Sequence, residues 1–235
     1  MTTTAMLLAA GRGERMRPLS DITPKPLLKV KGKSLIEYHI EGLVDAGFKR
    51  IVINHAWLGQ QIEDTLGDGQ RFGIQLLYSP EAQALETAGG IVKALPLLCP
   101  EGQDEQDSQF AVVSADIFTD FDFRRLPTLL PLDLAHLVMV NNPLHHPQGD
   151  FAFHQGRLGV PQGETLTFSG IAVYRPAFFA QLIAQQSSVM PLAPLLKQAI
   201  AKGCVSGQGH LGSWSDAGTP DRLAELNISG VTESS

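Results

Sequence analysis

Cysteine is scarce in this sequence. The 235 residues contain two, Cys99 and Cys204, without metal-type spacing, which excludes a disulfide framework or a zinc module as the organising device and fits a reducing, cytoplasmic setting. Long apolar runs are missing too, and none approaches the roughly 20 residues that a membrane span needs. The start, MTTTAMLLAAGRG, has no basic segment ahead of its apolar stretch, so no secretion signal is expected. There is no biased tract, internal repeat or dividing linker, and at this length one globular domain with a sizeable core is expected. Positive charge is not in excess: 18 Lys and Arg stand against 24 Asp and Glu, a net charge of −6. Nucleic-acid binders need an extended basic surface to displace counterions, so that class is excluded.

The positive charge that does exist is concentrated. Arg12, Arg15, Arg17, Lys25, Lys29, Lys31 and Lys33 fall between Gly11 and Lys33, opposed only by Glu14 and Asp21. A basic focus in an acidic protein suits one small polyanion. Its core is LLAAGRGERMRPLSDITPK, Leu7 to Lys25, an apolar strand running into a glycine-rich turn. Glycine lets backbone N–H groups approach a polyphosphate and guanidinium forks hold its oxygens, so the stretch reads as a triphosphate cradle. Two other glycine motifs are excluded. The dinucleotide fingerprint would need a third glycine and an acidic residue closing a second strand, and a P-loop would need Gly-Lys-Ser/Thr after four intervening residues.

Along the chain, short apolar runs alternate with helical periodicity. Strands are expected at Thr4–Ala10, Ile51–Asn54, Ile74–Tyr78, Phe110–Ser114, Ala135–Val140, Thr165–Tyr174 and Val205–Leu211. Helices are expected after Ser34, whose pairing with Glu37 forms a capping box, and at Leu58–Leu66, up to Ala94, Phe123–Leu130, Pro176–Ala184, Leu192–Ala201 and Pro220 to about Asn227. A hairpin is expected around Gln155 and Gly156, an acidic solvated insertion at Glu101–Ser108 and a frayed tail at Ser229–Ser235. Alternation of this kind signals βαβ units on a parallel sheet. His145, His146 and Asp150 invite a zinc reading, but adjacent histidines share no helical face and no third ligand has suitable spacing.

Five stretches in order carry a resemblance. LAAGRGERMRPLS with TPKPLL resembles the signature of the sugar-nucleotidyltransferase family, approximately L-A-G-G-x-G-T-R-L-x-P-L-T followed by P-K-P/Q-L. LETAGG (Leu85 to Gly90) resembles its base loop L-G-T-A-G, SAD (Ser114 to Asp116) its G-D motif, FSGI (Phe168 to Ile171) its sugar-side strand, and WSDAGT (Trp214 to Thr219) its W-x-D-x-G-T motif. The resemblance implies an α/β fold: a single Rossmann-like, glycosyltransferase-A-like domain with a mixed, mostly parallel central sheet flanked by helices. It also implies a nucleotide-binding part over about residues 1–120 and a sugar-binding part over about 121–228. Within the family, the runs INHAWLGQQIEDTLGDG and NNPLHHPQGDF point to uridylyl transfer from UTP to an amino-sugar 1-phosphate, in a cytoplasmic monomer or small homo-oligomer.

Site residues follow from the same resemblance. Arg15 would hold the β and γ phosphates and Lys25 the α-phosphate, with Ala9, Ala10, Gly11, Gly13, Glu14, Glu81, Leu85, Thr87 and Gly89 around the nucleotide. Asp116 and Asp216 each follow an expected strand, and ligands gather outside the carboxyl ends of strands in open α/β sheets, so both could converge on one Mg²⁺. Asp150, Gly170 and Asp216 would face the sugar. Two departures stand out: Ala115 replaces the glycine before Asp116, and the Glu-Lys-Pro segment that supplies a sugar-phosphate lysine in many relatives is missing before Phe168. Arg157, Lys197 and Lys202 are the substitutes considered for it. The same chemistry on another nucleotide and sugar pair, and a catalytically silent sugar-nucleotide sensor, are the alternatives.

Overall fold

A computed structural model describes residues 3–99, 108–161, 163–185 and 189–228. Residues 101–107 of the expected insertion at Glu101–Ser108 and the tail at 229–235 lie outside the described residues. Nine strands, Thr4–Leu8 (β1), Arg50–His55 (β2), Gln75–Pro80 (β3), Phe110–Ser114 (β4), Ala135–Val140 (β5), Phe151–His154 (β6), Arg157–Gly159 (β7), Thr165–Tyr174 (β8) and Val205–His210 (β9), form one sheet in the order 3-2-1-4-8-5-9-7-6. β1 pairs in parallel with β2 and β4, β2 with β3, and β5 with β9, whereas β8 runs antiparallel to β4, β5 and β6, and β7 to β6 and β9. Only β7 and β8 therefore run against the common direction, so the sheet is mixed, as expected, with most strands running parallel to one another.

The continuous apolar character of β1 and β4 has a direct cause. Alternate residues enter opposite cores: Met6 and Val112 pack on one face of the sheet, Ala5, Leu7, Ala111 and Val113 on the other. A strand covered on both faces has no solvent side to mark with polar residues. Helices Leu35–Asp45 (α1) and Gly59–Leu66 (α2) close the second core through Ile36, Ile40, Leu43, Ile62 and Leu66. Helices Glu86–Leu98 (α3), Ala180–Gln185 (α4) and Leu192–Ala201 (α5) close the first through Ile91, Leu98, Leu182, Leu196 and Ile200. The capping box at the start of α1 is formed, with Ser34 and Glu37 bonded reciprocally.

A third, smaller cluster does more to position the site. Met16, Leu28, Val30 and Leu35 pack with Ala217 and Leu223, joining the glycine-rich segment to the last helix, Pro220–Ile228 (α6). Residues about two hundred positions apart are thereby held over the same sheet edge.

Two expected helices differ. Phe123–Arg125 is a single 3-10 turn, because Pro127 lacks an N–H and drives Leu126 into extended geometry (ψ 127°). Pro176–Phe179 is likewise a 3-10 turn ahead of α4, while α3 continues past Ala94 to Leu98. The hairpin between β6 and β7 turns at Gln155 and Gly156, both at positive φ.

The first core contains one oddity. Tyr174 is fully buried among Phe110, Phe178 and Phe179, and its hydroxyl has no hydrogen-bond partner among the described residues. An unsatisfied buried hydroxyl costs about 1–3 kcal/mol. Tyr174→Phe is therefore expected to stabilise the protein by about 1 kcal/mol, read as a higher denaturation midpoint with an unchanged denaturant slope.

Candidate active site

A cleft of about 480 Å³ opens where β1 and β4 end, the point at which the chain order of the sheet reverses direction. Leu8, Ala9, Ala10, Gly11, Arg12, Gly13, Glu14, Arg15 and Met16 form one wall, with Lys25, Ser114 and Asp116 at its floor and Asn54, Glu81, Ala84, Glu86 and Thr87 opposite.

The loop wall is shaped by local necessity. Gly13 sits at φ +68°, and a Cβ there would lie 3.3 Å from Ser20 Cβ and 3.4 Å from Lys25 Cβ, so both the conformation and the close approach call for glycine. Ser20 Oγ donates to the Gly13 carbonyl at 2.7 Å and fixes the fold-back. The backbone N–H groups of Gly11, Arg12 and Gly13 make no hydrogen bond among the described residues, which leaves a row of donors at an exposed loop.

Three arginines of the loop have different fates. Arg12 donates to the Ser20 carbonyl at 3.1 Å and to Asp21 Oδ1 at 2.9 Å, and lies over the Trp57 ring at 3.6 Å. Arg17 pairs with Glu14 at 3.1 Å and Asp21 at 3.3 Å. Arg15 is exposed, lines the cleft and has no partner among the described residues. Of the three it alone offers an uncommitted guanidinium fork.

Lys25 is buried, and its ammonium donates to Asp116 Oδ2 at 2.6 Å and to the Asp216 carbonyl at 3.3 Å. The lysine thus ties together two segments that lie far apart in sequence. Asp116 remains partly exposed, and its Oδ1 has no partner among the described residues. The Asp216 carboxylate is held by Arg222 Nη1 and lies 3.3 Å from His145 Nε2. Burial pulls the Asp216 carboxyl upward, but the hydrogen bond and charge of Arg222, with His145 and Lys25 adding to it, hold it below the usual carboxylate range.

These oxygens suit a hard divalent cation. Mg²⁺ commonly takes one or two carboxylates and completes its shell with water and phosphate oxygens; Asp116 offers in the cleft an oxygen unpartnered among the described residues, whereas the Asp216 carboxylate is engaged by Arg222 and His145. No group of three or more His, Cys, Asp or Glu able to hold a metal occurs among the described residues, and His145 and His146 turn to different partners, Arg222 and Asp150.

Several expected site residues play other parts. Glu81 lines the cleft but both its oxygens are engaged, Oε1 by Asn54 at 2.7 Å and Oε2 by the Leu85 N–H at 2.9 Å, while Asn54 in turn accepts from the Ala9 N–H. Glu81 is a brace between the two cleft walls, and Gly90 must be glycine beside it because a Cβ would lie 2.7 Å from Glu81 Oε1. Leu85 and Gly89 are not in the cleft wall, and Gly89 donates its N–H to the Met190 carbonyl at 3.2 Å. Thr87 does line the cleft, as do Ala84 and Glu86, which the sequence reading missed. Glu86 holds φ +60° at the position where the resembled motif has glycine, a signal that was available in the sequence.

Asp150 and Gly170 also make contacts within the protein. Asp150 accepts from the Phe168 N–H at 2.8 Å and pairs with His146, bracing the start of β8. Gly170, at φ +85°, is required because a Cβ would lie 2.7 Å from Ser114 Oγ; its close neighbour is the protein itself. Asn54, Ser114 and Gly218 are further cleft residues not foreseen. The first two are polar residues at the carboxyl ends of buried strands, which is where such a signal belongs.

A glycine-rich phosphate loop leaving β1 of a 3-2-1-4 half-sheet, with a lysine–aspartate pair on its floor, defines a nucleotide-handling α/β protein. The family model described as nucleotidyl transferase matches residues 4–129, and the chain belongs to that family. It is 53% identical over 229 residues to N-acetylmuramate alpha-1-phosphate uridylyltransferase of Neisseria meningitidis serogroup B, covering 94% of this chain and 95% of that protein. The enzyme of the same name from Caulobacter vibrioides is 32% identical over 242 residues, covering 94% and 97%. Among solved structures, a protein from Bacillus anthracis assigned as glucose-1-phosphate thymidylyltransferase, in complex with sucrose, superposes with a TM-score of 0.79 at 18% identity, over 99% of this chain and 97% of that one. That likeness establishes the fold.

Proposed function

We propose that the protein transfers a uridylyl group from UTP to N-acetylmuramate 1-phosphate, releasing pyrophosphate and forming UDP-N-acetylmuramate, in a Mg²⁺-dependent reaction that serves cell-wall recycling in the cytoplasm. The observation that carries the reaction class is the convergence of the open loop donors, the uncommitted Arg15 and the Lys25–Asp116 pair in one cleft. The choice of sugar and base rests on the near full-length identity to the Neisseria enzyme.

Nucleotidyl transfer needs alignment and charge stabilisation more than covalent help from the protein. The N–H groups of Gly11 to Gly13 and the Arg15 fork take the β and γ phosphates and stabilise the departing pyrophosphate. Lys25 spends two of its three N–H donors on Asp116 and the Asp216 carbonyl, which fixes its ammonium and leaves one donor for an oxygen of the α-phosphate. The sugar phosphate oxygen attacks the α-phosphorus in line as the bond to pyrophosphate breaks. Asp116 and Asp216 are the residues that would hold a divalent cation, which when bound would further neutralise the phosphates.

The test is a pyrophosphate-release assay that crosses UTP, dTTP and GTP with N-acetylmuramate, N-acetylglucosamine, glucose and mannose 1-phosphates, with and without Mg²⁺. UTP with N-acetylmuramate 1-phosphate is expected to give the highest kcat/KM, and chelation to abolish it. Preference for GTP or dTTP would refute the base assignment. Absence of turnover with every pair would leave the sensor as the better reading.

A further inference from the structure

The missing lysine before Phe168 leaves open what binds the phosphate of the acceptor. In-line transfer places the entering group opposite the leaving one, so its anion site must be separate from the Arg15 loop. The three substitutes suggested by sequence are poorly placed. Arg157 pairs with Asp133 at 2.6 Å and donates to the Gly203 carbonyl, and both partners precede β5 and β9, at the sheet edge away from the cleft. Lys202 caps the end of α5 on that same edge, and Lys197 is exposed on α5 itself.

The cleft side offers another guanidinium. Arg222, from the first turn of α6, bonds Asp216 Oδ1 through Nη1, which also lies 2.9 Å from His145 Nε2, while Nε lies 3.4 Å from Thr219 Oγ1. Two other segments thus converge on it, the loop after β5 and the loop after β9. Its Nη2 has no partner among the described residues. Gly218, a cleft-wall residue, lies directly beside it, and a Cβ there would sit 3.0 Å from both Nη2 and Asp216 Oδ2. A contact chain runs from Arg222 through Asp216 to Lys25 and on to Asp116.

We propose that Arg222, oriented by His145 and Asp216, binds the phosphomonoester of the acceptor sugar 1-phosphate and so replaces the lysine absent from β8. The assignment rests on the sugar 1-phosphate reading given above. Arg222 keeps both N–H donors of Nη2 for a phosphate oxygen, while Nη1 and Nε are anchored so that little freedom is lost on binding. Gly218 keeps Nη2 uncovered. His145, in contact with both Arg222 and Asp216, acts as a positioning residue.

Arg222→Gln and Arg222→Lys test this by direct titration of N-acetylmuramate 1-phosphate without nucleotide, and of UTP with Mg²⁺, beside steady-state KM for each substrate. Arg222→Gln is expected to weaken sugar 1-phosphate binding about 10- to 100-fold while UTP affinity stays within about twofold. Arg222→Lys should fall between, since it restores charge without the fork. Circular dichroism and the melting temperature identify a variant that has failed to fold, in which case Arg222→Lys alone carries the comparison. Sugar 1-phosphate affinity within threefold of wild type, or parallel loss of UTP and sugar affinity, would overturn the proposal. A wild-type protein that binds the sugar 1-phosphate but does not turn it over with UTP would refute the reaction while leaving the phosphate assignment to be judged by the titrations. One that binds no sugar 1-phosphate would sink both.

Discussion

Asp116→Asn is expected to lower turnover by about 10³-fold with little change in thermal stability, whereas Asp116→Ala loses turnover to the same degree and stability as well. The difference comes from Lys25. Its ammonium is buried and rests on Asp116 Oδ2 at 2.6 Å. Asparagine keeps an oxygen for that donor but removes the charge that a cation and the transferring phosphoryl group require. Alanine removes both and strands a buried ammonium, a change that costs about 3–5 kcal/mol when a paired buried charge loses its partner, reduced here because Asp116 is partly exposed and the Asp216 carbonyl remains. Initial rates beside thermal melts separate the two effects. Asp116→Asn activity within tenfold of wild type would remove Asp116 from the reaction, and equal melting temperatures for the two variants would show that the Lys25 pair does not stabilise the fold.

Acidification is expected to destabilise the protein well before its carboxylates titrate. His39 is buried on α1 with Nε2 2.9 Å from the Ile117 carbonyl, and burial pushes its pKa down to about 4 against the opposing pull of that carbonyl and of Asp116. His136 on β5, bonded to Ser206 Oγ at 3.0 Å, is also pushed down to about 4, chiefly by burial and against Asp133 and Gln208. Both values lie below the 6.5 of an unfolded histidine, so the unfolded chain binds protons first. The stability these rings contribute is complete above pH 6.5, falls between pH 6.5 and 4, and changes no further below that. Each ring contributes a slope of about 1.4 kcal/mol per pH unit in that window. Against a total of about 5–15 kcal/mol for a typical domain, two such slopes bring unfolding within reach near pH 4.5. Denaturant titrations at pH 7, 6, 5.5 and 5 measure the slope directly. His39→Gln, which keeps a donor for the Ile117 carbonyl, should remove about half of it; an unaltered slope would mean that His39 is not held neutral by the fold.

The two predictions share an origin, because Ile117 follows Asp116 by one residue and His39 anchors it. The floor of the cleft is therefore fastened from two directions, by Lys25 from the glycine-rich segment and by His39 from α1. Neither fastening is local. Lys25 reaches across 91 positions to Asp116 and 191 to Asp216, and His39 reaches across 78 to Ile117.

Local chemistry alone determined a good deal of this protein. The continuous runs of β1 and β4 announced buried parallel strands, Ser34 and Glu37 announced the start of α1, and Gly11 and Gly13 announced a tight loop after β1, because each of these signals is complete within a few neighbouring residues. Long-range packing decided the rest. Sequence could not tell which loop arginine stays free, since the partners that commit Arg12, among them Trp57, come from elsewhere in the chain. It could not show that Glu81 braces Asn54, that Gly170 makes room for Ser114, or that Arg222 of α6 meets Asp216 and His145. A side chain's reactivity depends on which of its hydrogen bonds and charges are already satisfied, and in a buried site those partners are supplied by whichever segments the sheet order brings together.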